Sequence, residues 1–156
     1  VNEVTLFRQF GSKKELLLTT LKEAEWIPSV NKEIYDQFQW DLTSDLRLMM
    51  EAYLTQVTPE IVRFSLGLRA QEIYQETMPY IEKIPTAFIQ TLEDYLIRMK
   101  SKKQVKIHDP KKSAEIIFSS MIGFAFLHAY SSSDQYEKEV EIFISDAIDQ
   151  FINGLI

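Results

Sequence analysis

The chain has 156 residues, of which 46% are hydrophobic and 26% charged, as in an ordinary globular protein with material for one core. Its formal net charge of −6 argues against a protein that coats nucleic acid over its whole surface, which would be basic. Because there is no cysteine, disulfides, thiolate metal sites and cysteine nucleophiles are excluded.

The first residues predict two helices joined by a glycine turn. Asn2 is a suitable N-cap for a short helix over about residues 3–10, and Gly11 is placed to end it. Ser12 and Glu15 then form the capping box Ser-x-x-Glu, which opens a second helix.

Lys13 and Lys14 lie in the first turn of that second helix. Cations oppose the helix dipole at this end, whereas a phosphate bound there would favour both the lysines and the free N–H groups. The alternative is an ordinary helix corner whose two lysines are solvated.

The rest of the chain predicts an all-α fold of about eight helices, because no stretch alternates convincingly with period two. Thr58-Pro59 and Asp109-Pro110 are cap-then-proline starts, and Pro85 predicts a kink. Helices are expected over residues 12–25, 43–57, 59–74, 79–100, 110–130 and 135–153, with helix resuming between 29 and 40.

Apolar residues at helical spacing predict the core faces of these helices. The main positions are Leu46, Met49, Met50, Tyr53, Val57, Phe88, Leu92, Tyr95, Leu96, Met99, Val140, Phe143, Ile144, Ala147, Ile148, Phe151 and Leu155.

The helix over 110–130 is apolar nearly all round, which one contact face does not require. A second subunit would bury the excess surface, and Gly123 and Ala125 would permit close approach. The alternative is a central helix inside a single domain.

Aromatic and methionine side chains are frequent on four of these helices and predict an apolar cavity for a small molecule. The candidate ligand-binding residues are Met49, Tyr53, Phe64, Leu68, Phe88, Leu92, Phe124 and His128. The alternative interpretation of the same stripes is plain core.

An enzyme is not expected from this sequence. It lacks Glu-x-x-His pairs, His-Glu-x-x-His, a glycine-rich phosphate loop and Gly-x-Ser-x-Gly. His128 lies on the apolar helix, where a hydrogen-bonded core role is the simpler interpretation. We expect no catalytic residues, no metal and no cofactor.

Residues 1–17 resemble the recognition helix and following turn of the tetracycline-repressor (TetR) family of bacterial transcription regulators. The family pattern is roughly Val-Ser-x-x-Thr-Leu-Tyr-x-His-Phe-x-Ser-Lys-x-x-Leu. The matching residues are Val1, Thr5, Leu6, Phe10, Ser12, Lys13 and Leu16. The chain departs at three positions, with Asn2 for serine, Phe7 for tyrosine and Gln9 for histidine.

The resemblance implies a DNA-binding surface in which Thr5, Arg8 and Gln9 lie nearest the bases and the backbone. Lys13 and the amides after Ser12 would hold phosphate. The full set of implied DNA-binding residues is Asn2, Thr5, Phe7, Arg8, Gln9, Ser12 and Lys13. Two further helices precede this point in the family, and we expect them upstream.

The resemblance also implies two domains and a mechanism. Residues 1–25 would be the remainder of the helix-turn-helix domain with its connecting helix, and residues 26–156 a ligand-binding and dimerisation domain. A cytoplasmic homodimer would pair helices 110–130 and 135–155, bind double-stranded operator DNA without contacting a membrane, and be released by a small, largely apolar effector. The alternative is a helical ligand-binding or protein-interaction module without DNA-binding activity.

Overall fold

The computed structural model describes residues 32–69, 74–131 and 134–155, together with Thr19, which is helical. In these ranges every regular element is a helix and there is no strand, so the all-α prediction is confirmed. The helices are α1 Lys32–Tyr35, α2 Leu42–Gln56, α3 Pro59–Arg69, α4 Tyr74–Ile81, α5 Lys83–Ser101, α6 Pro110–Ala129 and α7 Tyr136–Leu155. The predicted helices over 3–10 and 12–25 lie outside the described residues, apart from Thr19.

Side-chain caps set the starts of two long helices. The Asp41 carboxylate accepts the backbone N–H of Ser44 at 2.9 Å, and α2 begins one residue before the predicted position. The Asp109 carboxylate accepts the backbone N–H of Lys112 at 3.1 Å, so the predicted start of α6 is confirmed. Each bond satisfies a helix N–H that has no partner within the helix.

The predicted helix over 79–100 is wrong at its beginning. Pro79 lies inside α4, the chain turns at Glu82, and α5 begins at Lys83. Pro85 is therefore the third residue of α5, where the backbone N–H would have no helical partner in any case. A proline in this first turn fits without the predicted kink.

Residues 32–40, the described part of the stretch between 29 and 40, are less helical than expected. The helix α1 ends at Tyr35, and Phe38 follows it in a turn yet is buried. Trp40 has a φ of 60°, a left-handed conformation that is strained for a bulky side chain. Its ring stacks on Tyr95 with 5.9 Å between ring centroids, and that contact helps hold the turn.

The core lies where α5 packs along α6, α2 packs on α7 and α3 packs against α6. The predicted core faces of α2 and α5 are confirmed at all the positions whose side chains are described. Ile144 and Ile148 are buried on α7, and the other described members of that stripe pack around them. The buried members of the predicted set are Leu46, Met49, Met50, Tyr53, Val57, Phe88, Leu92, Tyr95, Leu96, Met99, Ile144 and Ile148.

Candidate functional site

The predicted DNA-binding residues lie outside the described part of the chain. They are Asn2, Thr5, Phe7, Arg8, Gln9, Ser12 and Lys13. Their roles therefore stay predictions from the sequence.

Four of the predicted ligand-binding residues come together in the core. Met49, Tyr53, Phe88 and Leu92 are each at most 2% exposed. The ring of Phe118 joins this group, with centroids 5.2 Å from Tyr53 and 5.4 Å from Phe88. An effector that reaches these side chains must displace core contacts, since they pack on one another.

The other predicted ligand-binding residues lie elsewhere. Phe124 stacks on Phe143 of α7 with centroids 4.3 Å apart, on a different side of α6 from Phe118. Phe64 and Leu68 belong to α3, but their side chains are outside the described set. The described members of the predicted site thus form two groups rather than one.

His128 links α6 to α7, as expected for a hydrogen-bonded histidine. Its Nδ1 lies 2.9 Å from the carbonyl oxygen of Phe124, and its Nε2 lies 3.1 Å from Oε2 of Glu139.

His128 also lines a polar cleft of about 670 Å³ where three helix ends meet. Arg63 of α3 donates to the carbonyl oxygen of Ala129 at 2.7 Å and pairs with Glu60 at 2.8 Å. The Tyr136 hydroxyl donates to the carbonyl oxygen of Val57 at 3.3 Å. These contacts tie the end of α6 to α3 and the beginning of α7 to the end of α2.

The electrostatics of this cleft follow from those contacts. Burial, and secondarily the charge of Glu60, raise the pKa of Tyr136 to about 12. Hydrogen bonds from its own backbone N–H and from Thr58 lower the pKa of Glu60. The sequence reasoning missed this cluster, because Arg63 is 66 positions from Ala129 and no local pattern connects them.

A second candidate surface is the outward side of α6. Gly123 lies at its middle, and a Cβ added there would meet no atom within 4 Å. We call this surface the α6 apolar face; its exposed members are Ile116, Ile122, Phe126, Leu127 and Tyr130, between 41% and 71% accessible.

A shallow groove of about 610 Å³ runs along this face. Its floor includes Phe118, and Pro85 of α5 forms one wall. The outward side of α7 is different, since Ile142 is exposed there among acidic side chains that include Glu141 and Asp146. Among the described residues, most of the large apolar side chains that are exposed therefore belong to the α6 apolar face.

Among the described residues, no group of His, Asp and Glu is arranged to hold a metal ion. Within the same ranges, no helix combines the length and apolar character needed to cross a membrane. Comparison with models of protein families, with curated proteins and with solved structures finds no match to this chain.

Proposed function

We propose that this protein is a DNA-binding transcriptional regulator of the TetR type, with repression as its expected mode of action. The observation that carries the proposal is the amino-acid sequence of residues 1–17, which predicts two helices joined by a glycine turn. The helix start predicted at Ser12, with Lys13 in its first turn, would suit a phosphate, and Arg8 and Gln9 precede it on the predicted helix proposed to enter the major groove. The all-α architecture is compatible with this assignment.

The protein acts as a homodimer in this proposal, and the α6 apolar face is its central contact. Five large apolar side chains exposed along one side of a helix are unfavourable in water, so a second copy covering them stabilises both subunits. Two-fold symmetry places the same face of each α6 against the other. Support for α7 as part of the contact is smaller, because its outward side is mainly acidic.

A small, largely apolar effector binds the helical domain in this proposal. The aromatic and methionine side chains between α2, α5 and α6 supply the apolar surroundings. The effector releases DNA only if it binds the DNA-free arrangement of the dimer more tightly than the DNA-bound one. A thermal-shift screen of lipophilic, cationic and acyl compounds tests this, since a ligand raises the melting temperature by binding the folded state.

The test of DNA binding is a mobility-shift assay of the full-length protein on the DNA upstream of its own gene. We expect a specific complex, and we expect Lys13→Glu to weaken binding to all sequences alike, because a phosphate contact carries no sequence information. Lys138→Glu is the matched control, since Lys138 is exposed on α7. Full affinity in Lys13→Glu, or equal losses in both variants, would contradict the phosphate role.

A further inference from the structure

The segment from residue 98 to residue 112 is strongly positive. It comprises the end of α5, the connection to α6 and the first turn of α6. It holds seven of the chain's 17 Lys and Arg residues and a single acid, Asp109, although the chain as a whole is acidic. All seven cationic side chains are exposed. We call this segment the basic corner; its cations are Arg98, Lys100, Lys102, Lys103, Lys106, Lys111 and Lys112.

The cations of the basic corner form no ion pair with another described residue. Arg47 and Arg63, by contrast, each pair with a glutamate of their own helix. Asp109 is engaged as the cap of α6, and the acids next in sequence are Asp94 and Glu115, one beyond each end. Like charges collected in this way repel each other, so an external anion would stabilise them.

Packing and side-chain contacts hold part of the basic corner in place. Val105 and Ile107 are buried and anchor the connection in the core. The ammonium group of Lys102 lies 3.9 Å from the ring centroid of Trp40, and the ammonium group of Lys100 donates to the carbonyl oxygen of His108 at 3.3 Å. Cations fixed in advance lose less side-chain entropy when an anion binds.

The beginning of α6 adds to the positive potential. Lys111 and Lys112 lie in its first turn, which contains no acid. Cations at this end interact unfavourably with the positive end of the helix dipole. An anion bound there would interact favourably with both the dipole and the lysines.

The shape of the basic corner favours nucleic acid over a membrane. Attachment to a lipid surface is strengthened by apolar side chains that enter the acyl region. Between residues 98 and 112 no large apolar side chain is exposed, since Val105 and Ile107 point into the core. A cluster of exposed cations without such side chains suits the repeated phosphates of a nucleic-acid backbone.

We infer that the basic corner binds the phosphodiester backbone of DNA without sequence preference, as a contact additional to the recognition helix. The inference rests on the proposed function for the identity of the polyanion. It assigns to the helical domain a share of the DNA affinity that the residue 1–17 motif does not supply.

The first experiment measures the affinity of the full-length protein for a duplex of random sequence across a range of salt concentrations. Lys106→Gln combined with Lys112→Gln should reduce the slope of log affinity against log salt by about 0.9 for each phosphate that is no longer neutralised. The matched control combines Lys83→Gln with Lys138→Gln, which removes two exposed charges from elsewhere. Equal slopes in the two double variants would overturn the inference.

The second experiment uses Trp40 as a local reporter. The chain has two tryptophans, so Trp26→Phe leaves Trp40 as the single one, in contact with Lys102. Addition of the random duplex should change the emission of Trp40 at the concentrations at which binding is observed. An unchanged emission at saturation, or binding to phosphatidylserine vesicles without binding to the duplex, would overturn the inference.

These results separate the inference from the proposed function. If the regulator proposal fails, preference for the upstream DNA is absent while the slope difference between the double variants persists. If the basic corner plays no part, that preference is retained and the slope difference disappears.

Discussion

Asp45 is an acidic side chain inside the core, only 1% exposed, and two hydrogen bonds hold it there. Its carboxylate accepts the backbone N–H of Gln39 at 2.8 Å and the hydroxyl of Tyr95 at 2.9 Å. The first bond fixes the turn that contains Trp40, and the second fixes α2 to α5. A buried acid with both partners in place is tolerated, whereas removal of one partner leaves polar groups unsatisfied.

Asp45→Ala should therefore lower the free energy of unfolding by about 2–4 kcal/mol, because Gln39 and Tyr95 lose their acceptor. Denaturant titration measures the change. Asp94→Ala, at an exposed position of α5, is the matched control and should stay within about 0.5 kcal/mol of the parent protein. Similar losses in both variants would show that the buried bonds are not what stabilises the turn.

Three tyrosines make the fold sensitive to alkali. Burial is the largest cause that raises the pKa of Tyr53, Tyr95 and Tyr136, and the carboxylate of Asp45 adds to it at Tyr95. Since the folded-state pKa values exceed the unfolded value of about 10, the tyrosines contribute their full stability below that pH and lose it as the pH rises further. The free energy of unfolding should be measured from about pH 8 to about pH 11. We expect it to fall above about pH 10. Tyr95→Phe should show a smaller fall, and an equal fall would assign the alkali sensitivity to other groups.

The Asp45 contacts had no signal in the sequence, and the reason is physical. Asp45 and Tyr95 are 50 positions apart, and only the packing of α2 on α5 brings them together. The apolar spacing predicted the buried faces of both helices correctly, because that pattern depends on neighbours within one turn. It carries no information on which polar groups of two helices will meet.

At the scale of the element, local capping chemistry accounts for where helices begin. The predicted start at Asp109-Pro110 is confirmed, because a cap and the N–H that it accepts lie three residues apart in the same segment. The cap Asp41 was not predicted, although α2 begins within one residue of the expected position. The prolines were harder to interpret. Pro85 suits the first turn of a helix as well as a kink, so sequence alone did not locate the turn at Glu82.

Asp109→Ala should destabilise the protein by about 1 kcal/mol, the usual effect of losing a helix cap. The cost arises because the backbone N–H of Lys112 loses its acceptor at the start of α6. Thermal unfolding measures this loss of stability. The control variant is Asp146→Ala, which removes an exposed acid on α7. An effect no larger than that of Asp146→Ala would mean that water replaces the cap at no cost.

At the scale of the whole molecule, the α6 apolar face is the feature that the described part of a single subunit does not explain. The sequence predicted apolar residues all round this helix but left open whether a second subunit or the same domain covers them. In the described part of the chain the inward side of α6 is buried and Leu127, on the outward side, is 71% exposed. The proposed homodimer requires this arrangement in each subunit, with one side of α6 buried in the core and the apolar outward side exposed.

Leu127→Glu should convert the dimer to a monomer, because the interface would bury an unpaired charge from each subunit. Sedimentation velocity measures the state of assembly. The matched control is Ile97→Glu, at an exposed position of α5, and it should remain dimeric. A parent protein that sediments as a monomer, or two variants that behave alike, would refute the proposed interface.

The most direct measurement of the central proposal is a nuclease footprint of the full-length protein on the DNA upstream of its own gene. A dimer that carries two recognition helices should protect two half-sites with two-fold symmetry, whose centres lie about 10 base pairs or a multiple of that distance apart. Lys13→Glu should weaken both half-sites together. Uniform protection along the DNA, or none, would contradict the assignment of this protein as a sequence-specific regulator.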